Sequence, residues 1–319
     1  MNAPKILVTG ASGFVGEAVV FRLLLDRKFI PIAAARGATR LNGLCAVVPF
    51  ELTEKALPAL RGVQVVIHAA ARVHVMNETA IDALAEFRKV NVEGTLRLAR
   101  RAAESGVKRF IFISSIKVNG ESTVLGKPFK ANDLPAPADP YGVSKYEAEE
   151  ALKQLGLDTS MEIVIIRPPL VYGPGVKANF LSMLHWLNKG IPLPLGAIRN
   201  RRSLVAVGNL VDLIAVCIDH PAAANQTFLV SDGGDLSTTQ MLRRLADALG
   251  KKPRLLPLPE WLLVLVVSAL GKQAIAQRIC GSLQVDISKN RELLGWTPPI
   301  NMDKAMRQTA GHYLDTQTK

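Results

Sequence analysis

Short apolar runs alternate with longer stretches of helical periodicity through the first half of the chain. The apolar runs predict strands at residues 5–8, 30–35, 47–50, 65–68, 110–114 and 162–167. The periodic stretches predict helices at residues 13–25, 87–105 and 141–155. Strands separated by helices are typical of a parallel sheet with helices on both faces, so the pattern predicts a doubly wound α/β fold.

The pattern changes after Arg167, where prolines and glycines cluster between residues 168 and 175. The remainder mixes helix and loop, and the apolar residues near 227–231 predict one more strand that returns to the first sheet. Ser237 and Gln240 have the spacing of a capping box and predict a helix that ends near Gly250. Four prolines make the segment 127–140 a stiff loop rather than regular structure.

The longest apolar run without a charge covers residues 261–271. It is too short for a bilayer span, which needs about 20 residues. We interpret it as a buried helix, with contact to a membrane surface or to a partner protein as the alternative.

Composition places the chain among ordinary globular proteins. Of its 319 residues, 49% are hydrophobic and 21% are charged, which excludes a disordered chain. Cys45, Cys217 and Cys280 are far apart and in no metal-ligand spacing, and no signal peptide is apparent, so we expect a cytoplasmic protein with reduced thiols, no membrane span and no metal. The net charge of +12 has no basic tail behind it, which favours small phosphate-bearing ligands over nucleic acid.

The first strand runs directly into a glycine-rich turn and a helix. Gly10 permits a sharp turn, Gly13 lets the backbone approach a pyrophosphate, and Gly16 lets the helix pack close to the sheet. The first amides of the helix present a partial positive charge to phosphates. The turn therefore predicts a Rossmann-type dinucleotide site, with further contacts from Ser12, Phe14 and Val15.

With this turn, the break in pattern predicts two domains. We expect an NAD(P)-binding Rossmann domain over residues 1–172 and a smaller C-terminal α/β domain over 173–319 that binds the substrate.

The second strand ends in Arg36, where an acidic residue would bind the ribose of NAD. An arginine can accept the 2′-phosphate of NADP instead, so Arg36, helped by Arg40, favours NADP(H) and leaves NAD(H) possible. Asn91 is expected to brace the backbone of the site, although an asparagine on a helix surface is the alternative. The other cofactor contacts are expected at Glu51, Leu52, Ala69, Ala70, Ala71 and Pro168.

Tyr141 and Lys145 are the candidate catalytic pair. Asp139 and Pro140 predict the start of their helix, and a spacing of four residues puts both side chains on one face. A nearby ammonium, together with the positive nicotinamide ring of the cofactor, favours the phenolate. Lys145 and the cofactor are therefore expected to lower the pKa of Tyr141 and let it exchange a proton with a sugar hydroxyl or a keto oxygen. Ser115, at the end of the fifth strand, is placed to hydrogen-bond the same oxygen.

These motifs together resemble the extended short-chain dehydrogenase/reductase superfamily, in its nucleotide-sugar epimerase/dehydratase branch. The resemblance covers residues 5–299. It implies a UDP-sugar substrate whose diphosphate is held by Asn179 before Phe180 and by Arg202. It also implies a homodimer formed through helices near 87–105 and 141–155.

One departure from the family pattern excludes dehydration. Sugar dehydratases of this family follow the catalytic Ser or Thr with Asp-Glu, whereas Ile116 and Lys117 follow Ser115 here. Arg36 is a second departure from the epimerases. Arg278 does not match the spacing of their second phosphate-binding arginine.

The stretch after Ser114 is similar to bacterial 4-keto reductases. The leading hypothesis is therefore NADPH-dependent reduction of a UDP-4-keto-6-deoxy-N-acetylhexosamine, in which Tyr141 donates the proton. The alternative is a UDP-hexose 4-epimerase with bound NAD. A reductase of a non-sugar ketone and a non-catalytic dinucleotide sensor are the remaining hypotheses.

Overall fold

A computed structural model describes residues 3–53, 57–72, 82–269, 271 and 273–317. Among these residues, seven parallel strands form one sheet in the order β3-β2-β1-β4-β5-β6-β9. The strands of this large sheet are β1 (Lys5–Thr9), β2 (Ile30–Ala35), β3 (Ala46–Pro49), β4 (Val63–His68), β5 (Arg109–Ile113), β6 (Glu162–Arg167) and β9 (Thr227–Leu229). The predicted doubly wound parallel sheet is therefore confirmed.

Three further strands of the described chain form a small sheet in the order β10-β8-β7. These are β7 (Leu170–Tyr172), β8 (Arg202–Ala206) and β10 (Asp235–Leu236), of which β7 runs parallel to β8 and β10 antiparallel to it. Because β7 starts three residues after β6 ends, the chain passes from one sheet to the other at 168–169.

Helices cover both faces of the large sheet and one side of the small one. They are α1 (Phe14–Asp26), α2 (Ala83–Phe87), α3 (Thr95–Glu104), α4 (Pro140–Asp158), α5 (Ala178–Asn188), α6 (Val207–Asp219), α7 (Thr238–Ala248), α8 (Glu260–Ala269), α9 (Gln273–Cys280), α10 (Ser288–Leu294) and α11 (Met302–Gln317). A π-helical segment, Arg88–Gly94, joins α2 to α3, and 3₁₀ turns lie at Ile116–Val118 and Pro221–Ala223.

Alternation along β1 explains the two layers of helices. Ile6 and Val8 point to the face covered by α1 and α6, while Leu7 points to the face covered by α3 and α4, and all three are fully buried. A separate cluster packs α5, α7 and α11 against the small sheet.

Local capping signals correctly located several helix ends. Asp139 caps α4 by accepting a hydrogen bond of 2.6 Å from the amide of Gly142. The capping box of Ser237 and Gln240 is present at the start of α7. These side chains satisfy amides that the helix itself leaves unpaired, which is why the sequence signals them.

Residues 261–269 of the apolar run lie in α8, but the expectation that this helix is buried is wrong. Among its described side chains Leu263 is buried, whereas Trp261, Leu265 and Val266 are exposed. One stripe of the helix packs on Ile198 and Cys280, and the rest of its apolar surface faces outward. No helix within the described ranges is long and apolar enough to cross a membrane.

Candidate active site

The glycine-rich turn at the end of β1 forms a cradle that fits a dinucleotide phosphate. Gly10 has a φ of 67°, and a Cβ there would lie 2.7 Å from the amide nitrogen of Ala70. The amide of Gly13 donates to the Gly10 carbonyl at 2.8 Å. Gly13 caps α1 without a side-chain hydrogen bond, which leaves the first amides of the helix, including those of Phe14 and Val15, for a ligand. A side chain at Gly16 would collide with the Gly10 backbone, so the close packing expected of it is confirmed.

Arg36 and Arg40, the two basic residues predicted to contact the adenosine side of a cofactor, differ in their partners. Arg36 follows β2 and is exposed. Arg40, expected to help it, instead hydrogen-bonds the carboxylate of Glu17 on α1. The guanidinium of Arg40 is thus held by a partner inside the protein.

The other residues that the sequence predicts on this side follow β3 and β4. Ala69, Ala70 and Ala71 are partly buried directly after β4. Leu52 is buried, and its carbonyl accepts a hydrogen bond of 2.5 Å from Arg97, while its neighbour Glu51 is partly exposed.

Ser115, Tyr141 and Lys145 lie at the carboxyl end of β5, where α4 begins. Tyr141 is in the first turn of α4, and its ring meets that of Phe87 edge-on at 5.9 Å. Lys145, one turn later, is buried, and its Nζ donates to the Ile113 carbonyl at 2.8 Å and lies 4.1 Å from the centre of the Phe112 ring. The structure therefore places all three predicted side chains at the carboxyl end of the large sheet, the end at which the glycine-rich turn also lies.

Burial controls the charge of this group. It raises the pKa of the Tyr141 phenol to about 12, with a further raising effect from Asp139 and a lowering effect from the Ser115 side chain. It lowers the pKa of Lys145 to about 7, against the raising effect of the Glu149 carboxylate. In the protein alone, burial and Asp139 thus dominate the pKa of Tyr141. The lowering expected from Lys145 together with the positive nicotinamide ring of the cofactor stays a prediction.

Asn91 braces the site from the π-helical segment. Its Oδ1 accepts from the amide of Arg72 at 2.8 Å, and its Nδ2 donates to the Arg72 carbonyl and to the hydroxyl of Ser144, each at 3.0 Å. The asparagine is buried, so the alternative of a helix-surface residue is wrong. The wider π turn brings Asn91 between the loop after β4 and α4, a function that helical periodicity does not signal.

Two buried hydrogen-bond networks support the site, and the sequence analysis did not predict either of them. His68 Nδ1 lies 2.6 Å from the Thr9 hydroxyl, and its Nε2 lies 2.9 Å from the Thr95 hydroxyl. Burial, together with the Lys145 charge, lowers the pKa of His68 to about 3, so this histidine is neutral.

The second network centres on Glu149, whose carboxylate binds the Arg167 guanidinium and the Ser114 hydroxyl. Its position four residues after Lys145 on the same helix face was the available signal.

The substrate residues implied by the family resemblance lie on α5 and β8. Asn179 is exposed in the first turn of α5. The side chain of Phe180 is buried and stacks on Tyr172 at 5.4 Å, so it belongs to the core and leaves only its backbone for a ligand. Arg202 Nη1 donates to the carbonyls of Arg278 and Gly281, each at 3.0 Å, which fixes the direction of its guanidinium.

The residues directly after Ser115 contact the loop that follows β6 and the start of α4. The Ile116 amide donates to the Pro168 carbonyl at 3.0 Å. The Lys117 ammonium bonds Asp139, the cap of α4, and Glu121, which in turn acts electrostatically on Arg202.

Comparison with known proteins agrees with this arrangement. Residues 6–231 match the model of the NAD dependent epimerase/dehydratase family. A Vibrio cholerae protein named UDP-glucose 4-epimerase is 52% identical, over 99% of this chain and 98% of its own length. The N-acetyl-alpha-D-glucosaminyl-diphospho-ditrans,octacis-undecaprenol 4-epimerase of Escherichia coli O157:H7 is 27% identical, over 96% of this chain and 94% of its own length. The structure of UDP-glucuronic acid 4-epimerase from Bacillus cereus in complex with NAD matches with a TM-score of 0.80 at 19% identity, covering 98% of this chain and 99% of that one.

The fold and the site define a protein of the extended short-chain dehydrogenase/reductase type, as the sequence motifs indicated. The chain belongs to the NAD-dependent epimerase/dehydratase family.

Proposed function

We propose that the protein is a 4-epimerase of a UDP-linked hexose or N-acetylhexosamine that works with retained NAD. The observation that carries the proposal is the group of Ser115, Tyr141 and Lys145 at the same end of the sheet as the glycine cradle. The relative that shares 52% of its residues over nearly the whole chain supports epimerisation. The 4-keto reduction favoured by the sequence motifs finds no such support, and its alternative, the epimerase, fits better.

The residues of the chain have distinct roles in this proposal. Tyr141 exchanges a proton with the oxygen on C4, Ser115 hydrogen-bonds that oxygen, and Lys145 contributes positive charge under the site. When bound, NAD supplies a reversible hydride acceptor and a positive ring that lowers the pKa of Tyr141. Asn179 and Arg202 would hold the diphosphate, for which a guanidinium fork is well suited.

The described residues give no support to the predicted preference for NADP over NAD. Arg36 is exposed and makes no hydrogen bond or ion pair within the described part of the chain, and Arg40 is held by Glu17. The family and the epimerase reaction both favour NAD. The homodimer and the cytoplasmic location stay predictions.

Turnover without added cofactor tests the proposal. We expect the purified protein to carry NAD and to interconvert UDP-glucose and UDP-galactose, or their N-acetyl counterparts, with no cofactor added. Tyr141→Phe should lower kcat roughly 10²- to 10⁴-fold, because it removes the proton-transfer group. Tyr146→Phe, a partly buried tyrosine on the same helix, is the matched control and should leave kcat unchanged.

Stoichiometric consumption of NADPH with a UDP-4-keto sugar, without epimerisation, would contradict the epimerase and restore the reductase. Equal kcat for wild type and Tyr141→Phe would remove Tyr141 from the mechanism.

A second candidate substrate is an N-acetylhexosamine diphosphate carried on a polyprenol. The observation that favours it is α8, whose exposed apolar side chains lie on the helical pair that also contacts Arg202. The E. coli relative is named for such a substrate. Parallel assays with UDP-N-acetylglucosamine and with a short-chain prenyl-diphosphate analogue distinguish the two substrates by their kcat/KM.

A further inference from the structure

Helix α8 presents an apolar surface to the outside of the protein. Trp261 is 68% exposed, Leu265 61% and Val266 46%, although each is a residue that proteins usually bury. The opposite side of the helix packs through Leu263 onto Ile198. Clustered exposed apolar residues of this kind mark interaction surfaces.

A second exposed apolar segment, the turn at residues 124–125, is bonded to the chain that follows α9. Val124 and Leu125 are 69% and 60% exposed at the tip of a turn. The amide of Thr123 donates to the Ser282 carbonyl at 2.8 Å, and the amide of Gly126 donates to the Gln284 side chain at 2.8 Å. Residues 282–284 follow directly after α9, so the turn is anchored to the segment that carries the α8–α9 pair.

Basic side chains accompany both exposed apolar segments. Lys127 follows the turn, Arg278 lies on α9, and Lys251, Lys252 and Arg254 precede α8, and all five are exposed. The acidic neighbours along the chain are Glu121, paired with Lys117 before the turn, and Asp133, exposed in the loop after it. On the other side they are Glu260, partly buried at the start of α8, and Asp247, exposed near the end of α7. The excess of positive charge agrees with the net charge of the whole chain, +12.

We propose that this docking edge, formed by Trp261, Leu265 and Val266 on α8 with Val124 and Leu125 on the turn, binds the surface of an anionic lipid bilayer. The apolar side chains enter the headgroup region while the flanking lysines and arginines face the lipid phosphates. A tryptophan suits this interface because its ring is apolar and its N–H is polar. A bilayer fits better than a protein because two separate apolar segments within a basic surround match a flat, negatively charged partner.

The docking edge lies next to the candidate substrate site. Arg202 donates to the carbonyls of Arg278 and Gly281, which belong to the α9 segment behind the edge. A docked protein therefore holds its sugar-diphosphate site close to the membrane surface. This inference goes beyond the proposed function and does not depend on which sugar is bound.

Vesicle sedimentation tests the proposal. We expect the full-length protein to sediment with phosphatidylcholine vesicles containing phosphatidylglycerol, and less at high salt because surface charges are screened. Trp261→Glu and Leu265→Glu should each weaken binding by about tenfold or more, since each puts a charge where apolar area was buried. The matched controls, Leu25→Glu and Leu157→Glu, alter leucines that are 79% and 82% exposed on α1 and α4, and should bind like wild type.

Three outcomes would overturn the proposal. Wild type could fail to sediment with the anionic vesicles, or it could bind neutral and anionic vesicles equally at low salt. Alternatively, analytical ultracentrifugation could show a dimer that Trp261→Glu dissociates, which would assign the edge to a second copy of the chain. Circular dichroism and epimerase turnover of the Glu variants on soluble UDP-sugars should match wild type, so loss of sedimentation is separable from misfolding and from failure of the proposed function.

Discussion

His68 is a buried residue that connects two elements of the fold below the candidate site. Its ring lies between two threonine hydroxyls and stacks on Phe112, with ring centres 5.8 Å apart. The side chain has no exposed surface, so the charged imidazolium is strongly disfavoured and its pKa falls to about 3. The ring therefore connects Thr9 of β1 to Thr95 of α3 as a neutral group.

This predicts a pH dependence of stability. The pKa of His68 is about 6.5 in the unfolded chain and about 3 in the folded protein. Between these values the unfolded chain binds more protons, so the free energy of unfolding should fall as pH drops, by up to about 1.4 kcal/mol per pH unit from this group. Urea unfolding at pH 7, 6 and 5 measures it.

The matched variants are His68→Gln, which should flatten this slope, and His312→Gln, a partly buried histidine on α11, which should retain it. An unchanged slope in His68→Gln would assign the dependence to other groups.

Glu149 acts at the scale of elements. It lies on α4 with no exposed surface, and its carboxylate binds Arg167 of β6 and Ser114, which follows β5. Arg167 also donates to Asn119 at 2.9 Å. One carboxylate thereby fixes α4 against the two strands whose ends carry the candidate site.

Removing this charge should destabilise the protein strongly. Glu149→Gln leaves the buried Arg167 guanidinium without its counter-charge, and we expect a loss of about 3–5 kcal/mol in the free energy of unfolding. Glu150→Gln is the control. Glu150 is the next residue on α4, is exposed, and pairs with Lys153 at the surface, an ion pair that stabilises the protein by about 1 kcal/mol or less. Urea unfolding of both variants measures these losses in the free energy of unfolding. Equal losses would refute the role of Glu149.

At the scale of the whole molecule, Asp232 joins the two sheets. It follows β9 of the large sheet, and its Oδ1 accepts from the Ala206 amide at 2.8 Å and from Asn209 at 2.7 Å. Its Oδ2 accepts from the Tyr172 hydroxyl of β7 at 2.7 Å. Since β7 and β8 belong to the small sheet, this carboxylate holds the small sheet against the large one.

Asp232→Ala should therefore loosen the junction. Three buried donors lose their acceptor, and we expect roughly 2–4 kcal/mol less stability. Differential scanning calorimetry should show a lower Tm, or two transitions where wild type has one. The control is Asp219→Ala, at the exposed end of α6, which should melt like wild type. A wild-type melting curve for Asp232→Ala would contradict the proposed role of Asp232 in joining the two sheets.

Much of the fold and the centre of the site could be predicted from short-range signals. Alternating apolar runs indicated the strands of the large sheet, and Asp139 and Ser237 indicated helix starts. The glycine turn and the Tyr141–Lys145 spacing indicated the edge where the site lies. Each of these signals acts within a few residues, since caps, turns and helix faces are local geometry.

The rest was decided only by tertiary structure. Thr9 and His68 are 59 residues apart, and Tyr172 and Asp232 are 60 apart, so no periodicity connects them. The pairing of Arg40 with Glu17, the turning of Phe180 into the core and the exposure of α8 likewise depend on which elements meet. The sequence determined which elements form and which residues can do chemistry, whereas burial, which sets pKa values and decides which apolar faces stay uncovered, exists only once distant segments pack together.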